Sequence, residues 1–302
     1  MSSKQRTLAA PITFSGKGLH TGELVTMTAR PAEAGSGIVF RRVDLKGQPT
    51  VAALAHNVSD TARGTTIKDG KAKVSTIEHI LSALWTMGVD NALIDIDAPE
   101  TPIMDGSARE YVAQIAAVGT VEQEAERIWF DIKEEFVFEI PKKGVKIVIT
   151  PAEEYSVDVD VDYNSVVVGQ QSSHYDSSVD YATEIAPCRT FVFLHEIELL
   201  LKLGLIKGGS VESAIVVVEK NISDSTRRTI CKTFGREDIA VEKGYLNHLA
   251  LRFENEIARH KLLDILGDLA LLGRRIRGHV QALRPGHYAN TQMALQLEKK
   301  LN

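Results

Sequence analysis

The chain contains only two cysteines, Cys188 and Cys231, in 302 residues. Two thiols make neither a disulfide framework nor a Cys-rich zinc site. Basic excess is also absent. The formal net charge is −5, whereas a protein whose main partner is nucleic acid needs a strongly positive surface. No stretch approaches the roughly 18 apolar residues of a membrane span. The opening Met1-Ser2-Ser3-Lys4-Gln5-Arg6 has no apolar signal-peptide core. There is no His-Glu-x-x-His peptidase motif. These absences predict a soluble, cytoplasmic chain with no nucleic-acid partner and no transmembrane segment.

What is present is enough apolar material, 44% of residues, for two packed cores, and the length suits two domains of about 130–150 residues each. Basic residues cluster locally: Arg274, Arg275, Arg277 and Arg284 are placed to meet a small phosphorylated ligand. Strand-like alternation marks residues 6–14, 22–30, 37–43 and 64–68. Ser75 opens a helix with Ile77, Ile80, Leu81 and Leu84 on one face, and Gly88 stops it. A strand at 91–98 and a helix at 107–118 follow. The polar run 120–127 reads as a linker. The second half repeats the order, with strands at 128–140, 144–150, 155–163 and 170–176. A helix then spans 178–186, a short apolar helix 194–203, a strand 213–219 and a long helix 253–272. A strand at 276–283 and a helix at 288–301 close the chain. Strands first and helices later, twice over, predict an α+β fold of two similar layers. Residues 1–119 and 128–302 are the two domains, joined by 120–127. No residue-level repeat accompanies this architectural one.

The stretch Arg259-His260-Lys261-Leu262-Leu263-Asp264-Ile265-Leu266-Gly267-Asp268-Leu269 carries the chemistry. On a helix, His260 and Asp264 are one turn apart and Asp268 one turn further. An imidazole and a carboxylate so spaced can grip one metal ion. Zinc accepts such N and O ligands, and a catalytic zinc needs three from protein. Glu78-His79 is the best source of the third. Against this stands a plain alternative: Leu262, Ile265, Leu266 and Leu269 form an amphipathic stripe, which would leave His260, Asp264 and Asp268 on a solvated face. His79 likewise lies opposite its own helix's apolar stripe. Ser75-x-x-Glu78 fits a capping box, which accounts for Glu78 without catalysis.

Several segments together resemble one family, the zinc-dependent UDP-3-O-acyl-N-acetylglucosamine deacetylases of lipid A biosynthesis. They are Gly16-Lys17-Gly18-Leu19-His20-Thr21-Gly22, Ser75-Thr76-Ile77-Glu78-His79, Pro102-Ile103-Met104-Asp105-Gly106-Ser107-Ala108, Arg189-Thr190-Phe191, Gly208-Gly209-Ser210, His260-Lys261 with Asp264 and Gly267-Asp268-Leu269, and Gly286-His287. They run in family order from residue 16 to 290. Two places depart from the pattern, Arg63-Gly64 and Pro187-Cys188.

The resemblance implies two α/β sandwich domains, each a sheet packed on two helices, with a βαβ insert in the second and the active site between them. It makes His79, His260 and Asp264 the ligands of one catalytic zinc per chain. Glu78 becomes the general base for the attacking water, and His287 a protonated imidazole that serves the oxyanion and then the leaving amine. Asp268 orients and charges His287, while Lys261 and Thr190 donate to the oxyanion. The apolar segment 191–210 acquires a passage for the substrate's fatty acyl chain, with Phe191 at its mouth and Ile197, Leu200, Ile206 and Ser210 along it. Core packing of a small βαβ unit accounts for the same residues. Arg284 is assigned to substrate. The implied partner is the acylated UDP-sugar, and some relatives are fused to a dehydratase domain, a fusion or association left open for this chain. Two rivals remain: another zinc amidohydrolase, and a non-catalytic module in which zinc is a structural clamp.

Overall fold

The computed structural model describes residues 3–197, 213–235, 237–246 and 250–301. Helices with defined bounds among the described residues are α1 (Glu78–Thr86), α2 (Arg109–Val118), the single turn α3 (Tyr181–Glu184), α4 (Asp224–Phe234), α5 (Glu256–Leu269) and α6 (His287–Glu298).

Each half is built on a sheet of the same design. In the first half the strand order is Ile12–Lys17, Leu24–Pro31, Ala92–Ile96, Ile38–Arg42, Thr50–Ala52. In the second half five strands run Phe136–Ile140, Val145–Thr150, Arg275–Leu283, Tyr155–Asp162, Gln170–Tyr175. Successive pairs are antiparallel, antiparallel, parallel and antiparallel in both. In both, one helix precedes the central strand and another follows it: α1 and α2 in the first half, α5 and α6 in the second. The repeat expected from element order is therefore a match of sheet order and strand direction. It makes α1 and α5 equivalent helices. A sixth strand, Trp129–Asp131, joins the second sheet through Arg275–Leu283.

Three expectations need correction. Residues 120–126 are no loose linker: Thr120–Glu126 is a strand paired with Lys4–Leu8. The halves do not carry separate cores either. One continuous apolar cluster, from Leu8 and Phe14 through Leu84 to Leu266 and Met293, runs through both. Finally, neither α1 nor α5 has a solvated face. Glu78 to Trp85 are all buried, as are Leu262 to Leu269. The two helices pack on one another, so the polar edge of each meets the other instead of water.

Gly267 makes that approach feasible. A Cβ at this position would fall 2.0 Å from the Glu78 carbonyl oxygen, well inside van der Waals contact. The glycine of α5 thus brings the first turn of α1 alongside His260, Asp264 and Asp268.

The insert after residue 190 is a small sheet ordered Phe191–Phe193, Ile215–Val217, Tyr245–Leu246, Val241–Glu242, whose first pair is parallel. It encloses its own apolar cluster.

Candidate active site and metal centre

Helix α1 begins later than its sequence suggests. Thr76 has φ +59°, which ends any helical run, so Glu78 is the first helical residue and Ile77 the cap, without a side-chain capping bond. The capping-box explanation of Glu78 therefore falls. Its Oε2 accepts the Thr65 N–H at 2.9 Å, across the site and away from Ser75. Gly64 leaves the room, since a Cβ there would lie 2.8 Å from Glu78 Oε1. Burial, reinforced by Asp268 and Asp264 and opposed by His287, pushes the Glu78 carboxyl up to about 7.

The first turn of α1 and the middle turns of α5 bring the three nitrogen and oxygen donors together. The ligand atoms of His79, His260 and Asp264 all lie within 4.8 Å of one another, and all three residues are buried. His79 Nε2 is 3.8 Å and His260 Nε2 3.3 Å from Asp264 Oδ1, and the two rings meet edge to face at 5.1 Å. His260 Nδ1 lies 3.1 Å from the Cys188 carbonyl oxygen, so its proton belongs there and Nε2 offers a lone pair to the cluster. Burial first, then the neighbouring His260, pulls His79 down to about 3, and burial lowers His260 as well. Both imidazoles are neutral, the form a metal needs. Burial opposes ionisation of Asp264, but His260, Lys261 and His287 outweigh it and hold the carboxyl below its usual range.

The donor set fits a cation on one further observation. Asp264 Oδ2 accepts from Lys261 Nζ at 2.8 Å, yet its buried Oδ1, the oxygen facing both imidazoles, has no hydrogen-bond partner. A buried carboxylate oxygen left unpaired is costly, and a metal ion held by this carboxylate and the two imidazoles would remove that cost. Two imidazoles and one carboxylate also match the three protein ligands of catalytic zinc sites.

His287 opens α6 and faces the cluster. Its Nε2 is 3.9 Å from both Glu78 Oε1 and Asp264 Oδ2, and its Nδ1 is 3.0 Å from Asp268 Oδ2. Burial and the helix N-terminus both disfavour an imidazolium. The carboxylates of Asp268, Glu78 and Asp264 overcome burial and raise His287 to about 9. Asp268 is itself fixed by the Thr65 hydroxyl and by Asn290 Nδ2 at 2.9 Å. Lys261 stays charged despite burial because Asp264 holds it, and its Nζ lies 5.6 Å above the Phe191 ring.

The geometry thus brings Glu78, His79, His260, Lys261, Asp264, Asp268 and His287 into one buried site with Phe191 at its edge. Thr190 is anchored by its backbone, donating its N–H to Gly106 and accepting from Ile215. Its hydroxyl has no partner among the described residues, so the alternative that it bonds its own backbone does not hold. Sequence reasoning missed Thr65, Asn290 and the Cys188 carbonyl. Asn290 lies one helical turn from His287 and was open to discovery; Thr65 is 203 positions from Asp268 and gave no signal.

Other expectations fail or fall elsewhere. The arginine cluster does not converge. Arg275 is buried against Asp90, Arg277 pairs with Asp131 and covers Trp129, and Arg284 pairs with Asp162. Ile197 is packed among Leu194, Val216, Val218 and Ile230 in the core of the insert, the plainer of its two explanations. Leu200, Ile206 and Ser210 lie outside the described residues.

No helix among the described residues is long and apolar enough to cross a membrane. A family model described as UDP-3-O-acyl N-acetylglycosamine deacetylase matches residues 5–232 and 235–299. The chain is 44% identical over 299 residues to a protein of Bacteroides thetaiotaomicron named bifunctional enzyme LpxC/FabZ, a match covering 99% of this chain and 65% of that one. A Porphyromonas gingivalis protein of the same name is also 44% identical, over the same shares. The chain thus spans about 65% of the length of these two bifunctional relatives. A protein of Geobacter sp. named UDP-3-O-acyl-N-acetylglucosamine deacetylase is 40% identical over 297 residues, covering 98% of this chain and 89% of the other. With a family model matched from end to end and a relative of similar length at that identity, the chain belongs to the UDP-3-O-acyl-N-acetylglucosamine deacetylase family.

Proposed function

We propose that the chain is a zinc-dependent hydrolase that removes the acetyl group from the 2-acetamide of UDP-3-O-acyl-N-acetylglucosamine, yielding acetate and the free amine used for lipid A. The observation that carries this is the pairing of Glu78 with His287, 3.9 Å apart, beside a His79–His260–Asp264 cluster with an orphaned carboxylate oxygen. His79, His260 and Asp264 would hold the metal. When bound there, zinc supplies Lewis-acid chemistry, polarising the amide carbonyl and making water nucleophilic at neutral pH.

The remaining work falls to side chains. Glu78, ionised and aimed by the Thr65 N–H, takes the proton of the attacking water as its oxygen bonds to the carbonyl carbon. Lys261, kept protonated by Asp264, and the Thr190 hydroxyl donate to the oxygen that becomes anionic. His287 gives its Nε2 proton to the nitrogen as the C–N bond breaks. Asp268 accepts from Nδ1 and so keeps the imidazolium turned toward Glu78. Acetate and a primary amine result. A pure structural clamp has no use for such an acid–base pair, and structural zinc usually takes four protein ligands.

The acyl passage belongs to the same reading, with Phe191 at its mouth. Dehydratase fusion or association rests on the relatives named as bifunctional, and the reaction is assigned to the cytoplasm. Acetate release from the 3-O-acylated substrate and from UDP-N-acetylglucosamine tests the reading. Each buried methylene contributes up to about 0.8 kcal/mol, so the acylated compound should turn over with the higher kcat/KM by several orders of magnitude. Equal kcat/KM would remove the acyl passage, and no release from either would remove the deacetylase.

A further inference from the structure

The Gly18–Gly22 turn, unused by the chemistry above, closes on a single carboxylate. Glu100 is 1% exposed and makes no ion pair among the described residues. Its oxygens instead accept the His20 N–H at 3.0 Å, the Thr21 N–H and hydroxyl at 2.8 Å each, and the Thr76 hydroxyl at 2.9 Å. Gly18 permits the closure, since a Cβ there would fall 2.4 Å from Thr21 Oγ1 and 2.5 Å from Glu100 Oε2. A buried carboxylate without a counter-charge persists only when its lone pairs are saturated in this way.

What depends on it is Thr76. A β-branched residue at φ +59° is a genuine outlier, and such conformations survive only where the surroundings impose them. Here the Thr76 hydroxyl is held by Glu100 and its carbonyl by the Thr101 hydroxyl. Two and three residues later come Glu78 and His79. The same cluster reaches the opposite wall of the site, because His20 Nε2 lies 3.0 Å from the Arg63 carbonyl oxygen. That wall supplies Thr65, whose N–H aims Glu78.

We propose that Glu100 is a positioning residue. By imposing the left-handed turn at Thr76 and anchoring the 63–65 wall through His20, it sets Glu78 and His79 at the start of α1. The inference rests on the functional reading above for the roles of those two residues.

Glu100→Gln tests it, because the isosteric amide points hydrogens at donors. A displacement near 1 Å can cost about 100-fold in rate. Accordingly kcat should fall roughly 10- to 100-fold with KM nearly unchanged, and zinc affinity in chelator competition should weaken about tenfold. Glycine adopts φ +59° without steric penalty, so adding Thr76→Gly should recover most of both losses. Should Glu100→Gln fail to fold, Thr21→Val removes one donor and should give a smaller loss of the same pattern, again relieved by Thr76→Gly. A lower Tm with kcat and zinc affinity intact would overturn the proposal, as would losses that Thr76→Gly does not relieve. A wild type that neither binds zinc nor releases acetate would overturn the functional reading and this inference with it. Equality between the variants and an active wild type would overturn the inference alone.

Discussion

His79→Ala, His260→Ala and Asp264→Ala are each expected to release the metal and reduce turnover to background. Each removes one of the three ligands proposed for the metal. Loss of a mere outer partner of a ligand costs about 10- to 100-fold in metal affinity, so loss of a ligand should cost more. The three should differ in stability. Asp264 Oδ2 is also the partner of the buried Lys261 ammonium, and Asp264→Ala leaves that charge unpaired, a defect worth about 3–5 kcal/mol. His79→Ala and His260→Ala remove groups that are neutral in the folded protein and should melt closer to wild type. Elemental analysis and thermal melts on the purified variants check both parts. Full metal content in all three would contradict the ligand assignment.

Glu78→Gln and His287→Gln should cut kcat by roughly 10²–10⁴-fold and leave the metal in place, since neither is assigned as a ligand. The pH profile follows from the two shifted groups. In the proposed reaction Glu78 works ionised, and with its carboxyl near 7 activity should rise through that pH. His287 is proposed to work protonated, and with its imidazole near 9 activity should fall through that one. The result is a bell whose limbs belong to the coupled pair. Asp268 is the largest of the charges that raise His287 against burial. Asp268→Asn should therefore move the alkaline limb to lower pH, slow turnover and retain the metal. It also sets an amide against three donors, Thr65, His287 and Asn290, at a cost of about 1–3 kcal/mol in stability. An unmoved alkaline limb would break the link between Asp268 and His287.

Much of this site was legible in the sequence because it is local. His260, Asp264 and Asp268 fall one turn apart on a helix expected at 253–272 and found at 256–269, with 270–272 as a 3₁₀ turn. The last strand and last helix also lie close to where their periodicity put them. Periodicity could not reveal what covers a helix. The polar edges of α1 and α5 look solvated in isolation and are buried because Gly267 lets the helices touch. Glu78 resembled a capping residue because Thr76 gives no sign in sequence of its positive φ. The pairing of 120–126 with Lys4–Leu8 is long-range, and a polar strand at a sheet edge reads as a linker. The arginines of 274–284 were grouped by sequence proximity, whereas Arg275, Arg277 and Arg284 each turn to a different acidic partner.

The most direct measurement is acetate release from UDP-3-O-acyl-N-acetylglucosamine by one protein sample in three states: as purified, after exhaustive chelation, and after return of one equivalent of zinc. The account predicts turnover in the first, loss of nearly all of it in the second with the fold retained, and recovery in the third. Undiminished turnover by protein shown to be metal-free would contradict it.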